Sequence, residues 1–78
     1  MAVSVKKKKK KKGFLVAAGE IAEKLGDAKV YVPGEDLHRR AMRDFMRAGK
    51  DYKAEQLAKR VGDDGALEAI KKGDRRAL

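Results

Sequence analysis

The sequence has no cysteine, asparagine, threonine or tryptophan, and only one serine, one glutamine, one histidine and one proline. Without cysteine, neither a disulfide nor a thiolate metal site can form. Zinc sites need about four Cys, His or carboxylate ligands at suitable spacing, and here His38 is the only imidazole. We therefore expect no metal site and no cofactor.

Catalytic groups are equally scarce. Nucleophilic catalysis needs a group such as a serine hydroxyl beside a base, but Ser4 stands before a lysine run, with no base linked to it. The carboxylate pairs Glu35-Asp36 and Asp63-Asp64 fall at predicted helix starts, where capping explains them. His38 is most simply an exposed residue of a helix. These features predict no catalytic residues and no enzyme.

Long hydrophobic runs are also missing. The apolar residues that begin at Phe14 end at Gly19-Glu20. A signal peptide needs an apolar region of about 7–15 residues, and a membrane span needs about 20. We expect no transmembrane segment and no secretion. The expected location is the cytoplasm, the nucleoid or the inside of a virion.

What the chain has in abundance is positive charge, and the charge is concentrated. The net charge is +9, and the seven consecutive lysines Lys6–Lys12 supply +7 of it. The other residues of the chain include 14 Lys and Arg and 12 Asp and Glu, so their net charge is only +2. Seven adjacent like charges repel each other. The sequence predicts a lysine-rich basic arm over 1–13, disordered or ordered by a partner, and a small helical domain over 14–78.

Apolar residues at helical spacing predict an all-α fold, a small bundle of three to four short helices. A first helix over Phe14–Leu25 is predicted to end at Gly26, with Phe14–Val16 helical or extended. Its predicted buried stripe consists of Phe14, Ala18, Ile21, Ala22 and Leu25.

Three further helices are predicted over Glu35–Ala48, Asp51–Val61 and a segment from Asp63-Asp64 to about Lys72. Gly49, Gly62 and Gly73 are expected to end them. The β-prone run Val30-Tyr31-Val32, closed by Pro33-Gly34, is compatible with a very short strand. Predicted buried residues of these helices are Leu37, Ala41, Met42, Phe45, Met46, Ala54, Leu57, Ala58, Val61, Leu67 and Ile70.

Two groups of cations are candidates for contact with nucleic acid. Lysines are flexible point charges that neutralise phosphates without reading sequence. The predicted second helix carries an arginine stripe at i, i+4 and i+8, and arginine forks match phosphate geometry. An ordinary solvated face with intrahelical ion pairs is the competing interpretation. The candidate residues are Lys6, Lys7, Lys8, Lys9, Lys10, Lys11, Lys12, Arg39, Arg40, Arg43, Arg47, Lys50 and Lys53.

Residues 55–62 resemble the first helix and turn of a helix-turn-helix motif, with an alanine four residues before the turn glycine. The second half departs from the pattern. The apolar residues expected six and nine positions after Gly62 are instead Glu68 and Lys71. Asp63 and Asp64 also stand where a recognition helix would approach DNA.

The leading hypothesis is a non-enzymatic nucleic-acid or polyanion binding protein, DNA or RNA, that contacts the phosphate backbone. Its context would be nucleoid, ribosomal or phage. One alternative is a structural, assembly or regulatory protein that docks its helices on a larger protein, because docking would complete so small a core. A homo-oligomer is compatible with the same reasoning. A helix-turn-helix transcriptional regulator is the further alternative.

Overall fold

The structure, a computed structural model, describes the backbone of residues 2–78 and the side chains of residues 13–78. The all-α prediction is confirmed: the described chain is a bundle of four α-helices with a short 3-10 turn. Successive helices pack on one another in chain order. The elements are α1 (Ala2–Asp27), α2 (Leu37–Arg47), α3 (Asp51–Val61), α4 (Asp64–Lys72) and the 3-10 turn (Arg75–Ala77).

The starts of α2 and α4 and the C-terminal ends of α2, α3 and α4 follow the predicted local chemistry, whereas α3 begins after Lys50 without a side-chain cap. The Asp36 carboxylate accepts the backbone N–H of Arg39 at 3.2 Å and caps α2. The Asp63 carboxylate accepts the N–H of Ala66 at 3.1 Å and caps α4. Gly49, Gly62 and Gly73 all have φ between 72° and 76°, the left-handed conformation that glycine adopts at little cost.

The end of α1 differs from the prediction. Gly26 does not stop the helix but lies inside it, and α1 continues to Asp27. Lys29 supplies the left-handed residue, with φ of 59°, and the Val30 N–H bonds to the Leu25 carbonyl at 3.1 Å. Residues 30–32 belong to the loop after this turn, so the suggested short strand is wrong. A single extended run has no neighbouring strand among residues 2–78 with which to pair.

The core is small and rich in alanine. Five of the nine residues of the central cluster are alanines. Most of the buried apolar volume therefore comes from Met42 and Phe45 of α2, together with Leu57 of α3 and Ile70 of α4. Phe45 is only 1 % exposed. The predicted buried faces of α2, α3 and α4 are confirmed, with Met46, Val61 and Leu67 partly rather than fully buried.

The predicted buried face of α1 is wrong. Phe14 is 70 % exposed, Ile21 59 % and Leu25 40 %, and only Ala22 of the predicted stripe is buried. The face of α1 that packs on α2 is a different one, rotated about the helix axis relative to the predicted face, and it includes Gly19 and Gly26. Phe14–Val16 are helical, and α1 continues through Gly13. Residues 2–12 of the predicted arm form the first part of α1, whereas the predictions that concern the side chains of residues 1–12 lie outside the described residues.

Two glycines explain why α1 uses this face. A Cβ atom at Gly19 would lie 2.7 Å from Cε1 of Phe45, and one at Gly26 would lie 2.9 Å from the His38 ring. Both distances are shorter than van der Waals contact permits. Because neither glycine has a side chain, α1 approaches α2 closely, and the Phe45 ring lies against the α1 backbone.

Gly19→Ala is expected to lower the free energy of unfolding by about 1–3 kcal/mol, because the new methyl group overpacks the buried Phe45 ring. The loss should appear despite the gain in helix propensity. Gly13→Ala is the matched control, since nothing lies within 4 Å of its Cβ position. It should be neutral or stabilising by up to about 1 kcal/mol. Urea unfolding followed by circular dichroism measures both; equal effects would show that Gly19 is not a close contact.

Candidate nucleic-acid interface

The lysine segment, Lys6–Lys12, precedes the described side chains. Its proposed contacts with phosphate therefore remain a prediction from the sequence. The observations that follow concern the second group of predicted contacts, on and beside α2, and the other cations of residues 13–78.

Arg39 is engaged in the fold. Its Nε donates to Oδ2 of Asp63 at 2.8 Å and its Nη2 donates to Oδ1 at 3.0 Å. This two-point contact is the arrangement in which arginine binds a carboxylate most strongly. It joins α2 to the start of α4, and both side chains are mostly covered. The same carboxylate caps α4 through Ala66, so Asp63 links a helix end to a neighbouring helix.

The other α2 arginines also have intramolecular partners. Arg43 donates from Nη1 to the backbone carbonyl of Leu78 at 2.8 Å and holds the last residue against the core. Arg40 and Arg47 make longer ion pairs, at 3.6 Å to Glu35 and 3.9 Å to Asp44. Both are about half exposed, so these pairs are weak and compete poorly with a phosphate.

The two lysines beyond α2 differ. Lys50 is exposed at the start of α3. Lys53 is tied to the bundle: its Nζ lies 3.3 Å from Oε2 of Glu20 and 5.6 Å from the centroid of the Phe45 ring. The cation thus covers one face of the principal core aromatic.

The predicted arginine stripe is consequently not one uniform cationic surface. Arg39 and Arg43 connect α2 to α4 and to the C-terminal residue, whereas Arg40, Arg47 and Lys50 remain at the surface. The spacing of four residues places the arginines on neighbouring turns as expected. It carries no information about the acidic groups and carbonyls that meet them, because these come from distant parts of the chain.

A second ionic cluster fastens α1 to the other helices. Nη2 of Arg60 donates to Glu23 at 2.7 Å and to both oxygens of Asp27 at 3.0 and 3.1 Å. His38 Nε2 lies 2.8 Å from Oδ1 of Asp27. Hydrogen bonding from His38, with help from Arg60, lowers the pKa of Asp27. His38 is therefore a half-buried link between α1 and α2, not the exposed residue expected from the sequence.

Some exposed cations were not singled out by the sequence pattern. Lys71, Arg75 and Arg76 are exposed near the C-terminal end and form no ion pair among the described residues. The sequence signal is the run of basic residues from 71 to 76, interrupted by Gly73 and Asp74. Arg75 and Arg76 lie beside Met46 and Asp51 in a shallow polar depression.

Two further features are absent from the described part of the chain. Within it, no three His, Asp or Glu side chains come together in a way that could hold a metal ion. No helix there is both long enough and apolar enough to cross a membrane. No protein-family model, curated protein or solved structure matches the chain, so function is inferred from its own residues.

Because of the Arg39–Asp63 ion pair, we expect the stability of the fold to depend on pH in acid. The Arg39 guanidinium, chiefly through its hydrogen bonds, holds the pKa of Asp63 below the ordinary 3.8, and the bond from Ala66 acts in the same direction. A carboxyl whose pKa is lowered on folding stabilises the folded state above its unfolded pKa. That contribution is lost as pH falls through the lower folded pKa. Stability should therefore decrease below about pH 4.

Asp63→Asn isolates this effect, because asparagine still caps a helix but cannot carry the charge. We expect this variant, and Arg39→Gln, to melt at lower temperature at pH 7 and to show less of the acid-dependent loss. The double variant should add little to either single variant. Thermal melting between pH 2 and 7 measures this. An undiminished acid dependence in Asp63→Asn would show that other carboxylates cause it.

Proposed function

We propose that the protein is a non-enzymatic polyanion-binding protein, with nucleic acid as its ligand and the lysine segment as its principal contact. The observation that carries the proposal is the separation of charge. Residues 6–12 hold +7 of the net +9, while residues 13–78 are nearly balanced. Several cations of that balanced part are paired with its own acids, including Arg39 and Arg60.

The physical basis is the release of counterions. A nucleic-acid duplex condenses cations along its phosphates, and bound lysines replace them, so that the released salt drives association. Seven neighbouring lysines can follow a phosphate backbone without a fixed geometry. In this proposal Arg40, Arg47 and Lys50 are auxiliary contacts, and Arg39 and Arg43 act by stabilising the fold.

The proposal predicts binding without sequence preference. Phosphate contacts position a protein on DNA but carry no sequence information. Unrelated duplexes of equal length should bind within a few-fold of one another, as measured by fluorescence anisotropy. A sequence-reading protein prefers its own site by about 10³-fold or more. One motif of several base pairs enriched in a binding-site selection would contradict the proposal.

A specific observation favours a second candidate function, docking on another protein. The exposed Phe14, Ile21 and Leu25 form an apolar surface on α1 that the bundle leaves uncovered. Failure to bind any nucleic acid would promote this candidate. A nucleoid, ribosomal or phage assembly, in the cytoplasm or a virion, suits either role.

The helix-turn-helix hypothesis stays a weaker alternative. α3 and α4 are joined by a short turn at Gly62, as such a motif requires. The first turn of α4, however, presents Asp64 at its start, and Glu68 follows on the exposed surface. Carboxylates there oppose the approach of phosphates, and Asp63 is already held by Arg39.

A further inference from the structure

The proposed binding of nucleic acid does not use the exposed apolar surface of α1. We define the α1 apolar face by its four residues, Phe14, Ala18, Ile21 and Leu25. All four line an open groove of about 510 Å³ between α1 and α2, with Leu37 at its floor. Three of them are large apolar side chains that are 40 to 70 % exposed. Contiguous exposed apolar surface of this kind marks an interaction site.

The spacing of these residues is symmetric. From Phe14 the steps along the chain are four, three and four residues, the same in either direction. Steps of three and four are those of the seam along which two helices pack. A helix with such a seam can meet an antiparallel copy of itself about a two-fold axis between positions 19 and 20. Phe14 then lies opposite Leu25, and Ala18 lies opposite Ile21.

We infer that the α1 apolar face binds the same face of a second copy of this chain, in an antiparallel, two-fold symmetric dimer. The pairing matches sizes, because the small Ala18 leaves room for Ile21 of the other copy. An isologous two-fold contact is the commonest arrangement among soluble homo-oligomers. It would cover the groove and enlarge a core that contains few large side chains.

Charge favours the antiparallel orientation. The Ala2–Asp27 helix contains seven lysines before Gly13, and after it three acids, Glu20, Glu23 and Asp27, against one lysine. A parallel pair would align one lysine segment with the other, and like charges side by side repel. In the antiparallel pair the two lysine segments lie at opposite ends of the paired helices, so this repulsion is avoided.

The polar wall of the groove is consistent with a second copy. It carries one cation, Arg40, and one anion, Asp44. Both already have an ion-pair partner in their own chain, Glu35 and Arg47, so the wall offers little to a strongly acidic or strongly basic partner. The dimer is independent of nucleic-acid binding, and it would hold two lysine segments at opposite ends of the paired helices.

Sedimentation velocity across a range of protein concentrations tests the dimer, at high salt so that no polyanion bridges chains. The contact is small, so we expect association in the micromolar range. Ile21→Glu should weaken it by at least about tenfold. Tyr52→Glu is the matched control, since Tyr52 is 56 % exposed on α3, outside the groove, and Ile21 is 59 % exposed. Circular dichroism should show both variants folded.

The absence of cysteine allows a direct test of orientation. Phe14→Cys and Leu25→Cys chains, mixed under oxidised glutathione, should form a disulfide between unlike chains in preference to like chains. A parallel pair would give the opposite result. A monomer at every concentration, a dimer unaffected by Ile21→Glu, or preferential cross-linking of like chains would each overturn the inference. None of these results bears on whether the lysine segment binds DNA, so the two proposals fail separately.

Discussion

Replacing Phe45 with alanine is expected to lower the free energy of unfolding by about 3–5 kcal/mol. The ring is 1 % exposed, lies against Gly19 of α1 and is covered by Lys53 of α3. No large neighbour can fill the space, because five of the nine core residues are alanine. A core of this size rarely supplies more than about 3–5 kcal/mol in all. The variant should therefore be largely unfolded at room temperature, with a lost helical circular-dichroism signal.

Tyr52→Ala is the matched control for this substitution. It also removes an aromatic ring, but from a side chain that is 56 % exposed on α3. Its effect should stay within about 0.5 kcal/mol, as for most surface substitutions. A Phe45→Ala variant that unfolds cooperatively near the wild-type urea midpoint would contradict the packing described for α1 and α2.

Binding to duplex DNA should depend steeply on salt. If each of the seven lysines neutralises one phosphate, the slope of log affinity against log salt approaches about −6. Affinity should then fall by about 10³- to 10⁴-fold between about 50 and 200 mM salt. Fluorescence anisotropy titrations at several salt concentrations measure the slope. A slope near zero would show that electrostatic release is not the driving force.

The bounds of α2, α3 and α4 could be predicted because their signals are local. An aspartate before a helix accepts a nearby N–H, as Asp36 and Asp63 do. A glycine after the helix adopts positive φ, as Gly49 and Gly62 do. Apolar residues at helical spacing then identify the buried face when one neighbouring surface dominates, as in α2.

The packing of α1 could not be predicted in this way. Hydrophobicity favoured the face of Phe14 and Ile21, but close approach at Gly19 and Gly26 determines which face meets α2. Glycines inside a helical pattern are the available signal, since they often have a packing reason. Their partners, Phe45 and His38, are distant in the chain, and the periodicity of α1 does not reveal them.

At the candidate site, too, local features could be predicted from the sequence and contacts between distant residues could not. The arginine spacing of α2 was visible in the sequence. The partners of Arg39 and Arg43, Asp63 and the Leu78 carbonyl, depend on how α2, α4 and the C-terminal residues come together. Some cations that the sequence predicted as ligand contacts therefore stabilise the fold instead, through contacts with distant residues.

The central claim, that the lysine segment carries polyanion binding, is tested most directly by two variants of equal charge. In one, all seven residues Lys6–Lys12 become glutamine. In the other, glutamine replaces seven exposed cations that form no ion pair among the described residues. These are Lys24, Lys29, Lys50, Lys59, Lys71, Arg75 and Arg76. Both changes reduce the net charge from +9 to +2.

The measurement is the affinity of both variants for one DNA duplex at about 50 mM salt, where phosphate contacts are strongest. The first variant should lose about 10³-fold or more in affinity, whereas the second should stay within about tenfold of wild type. Equal losses would contradict the account, because they would mean that overall charge, and not the lysine segment, determines binding.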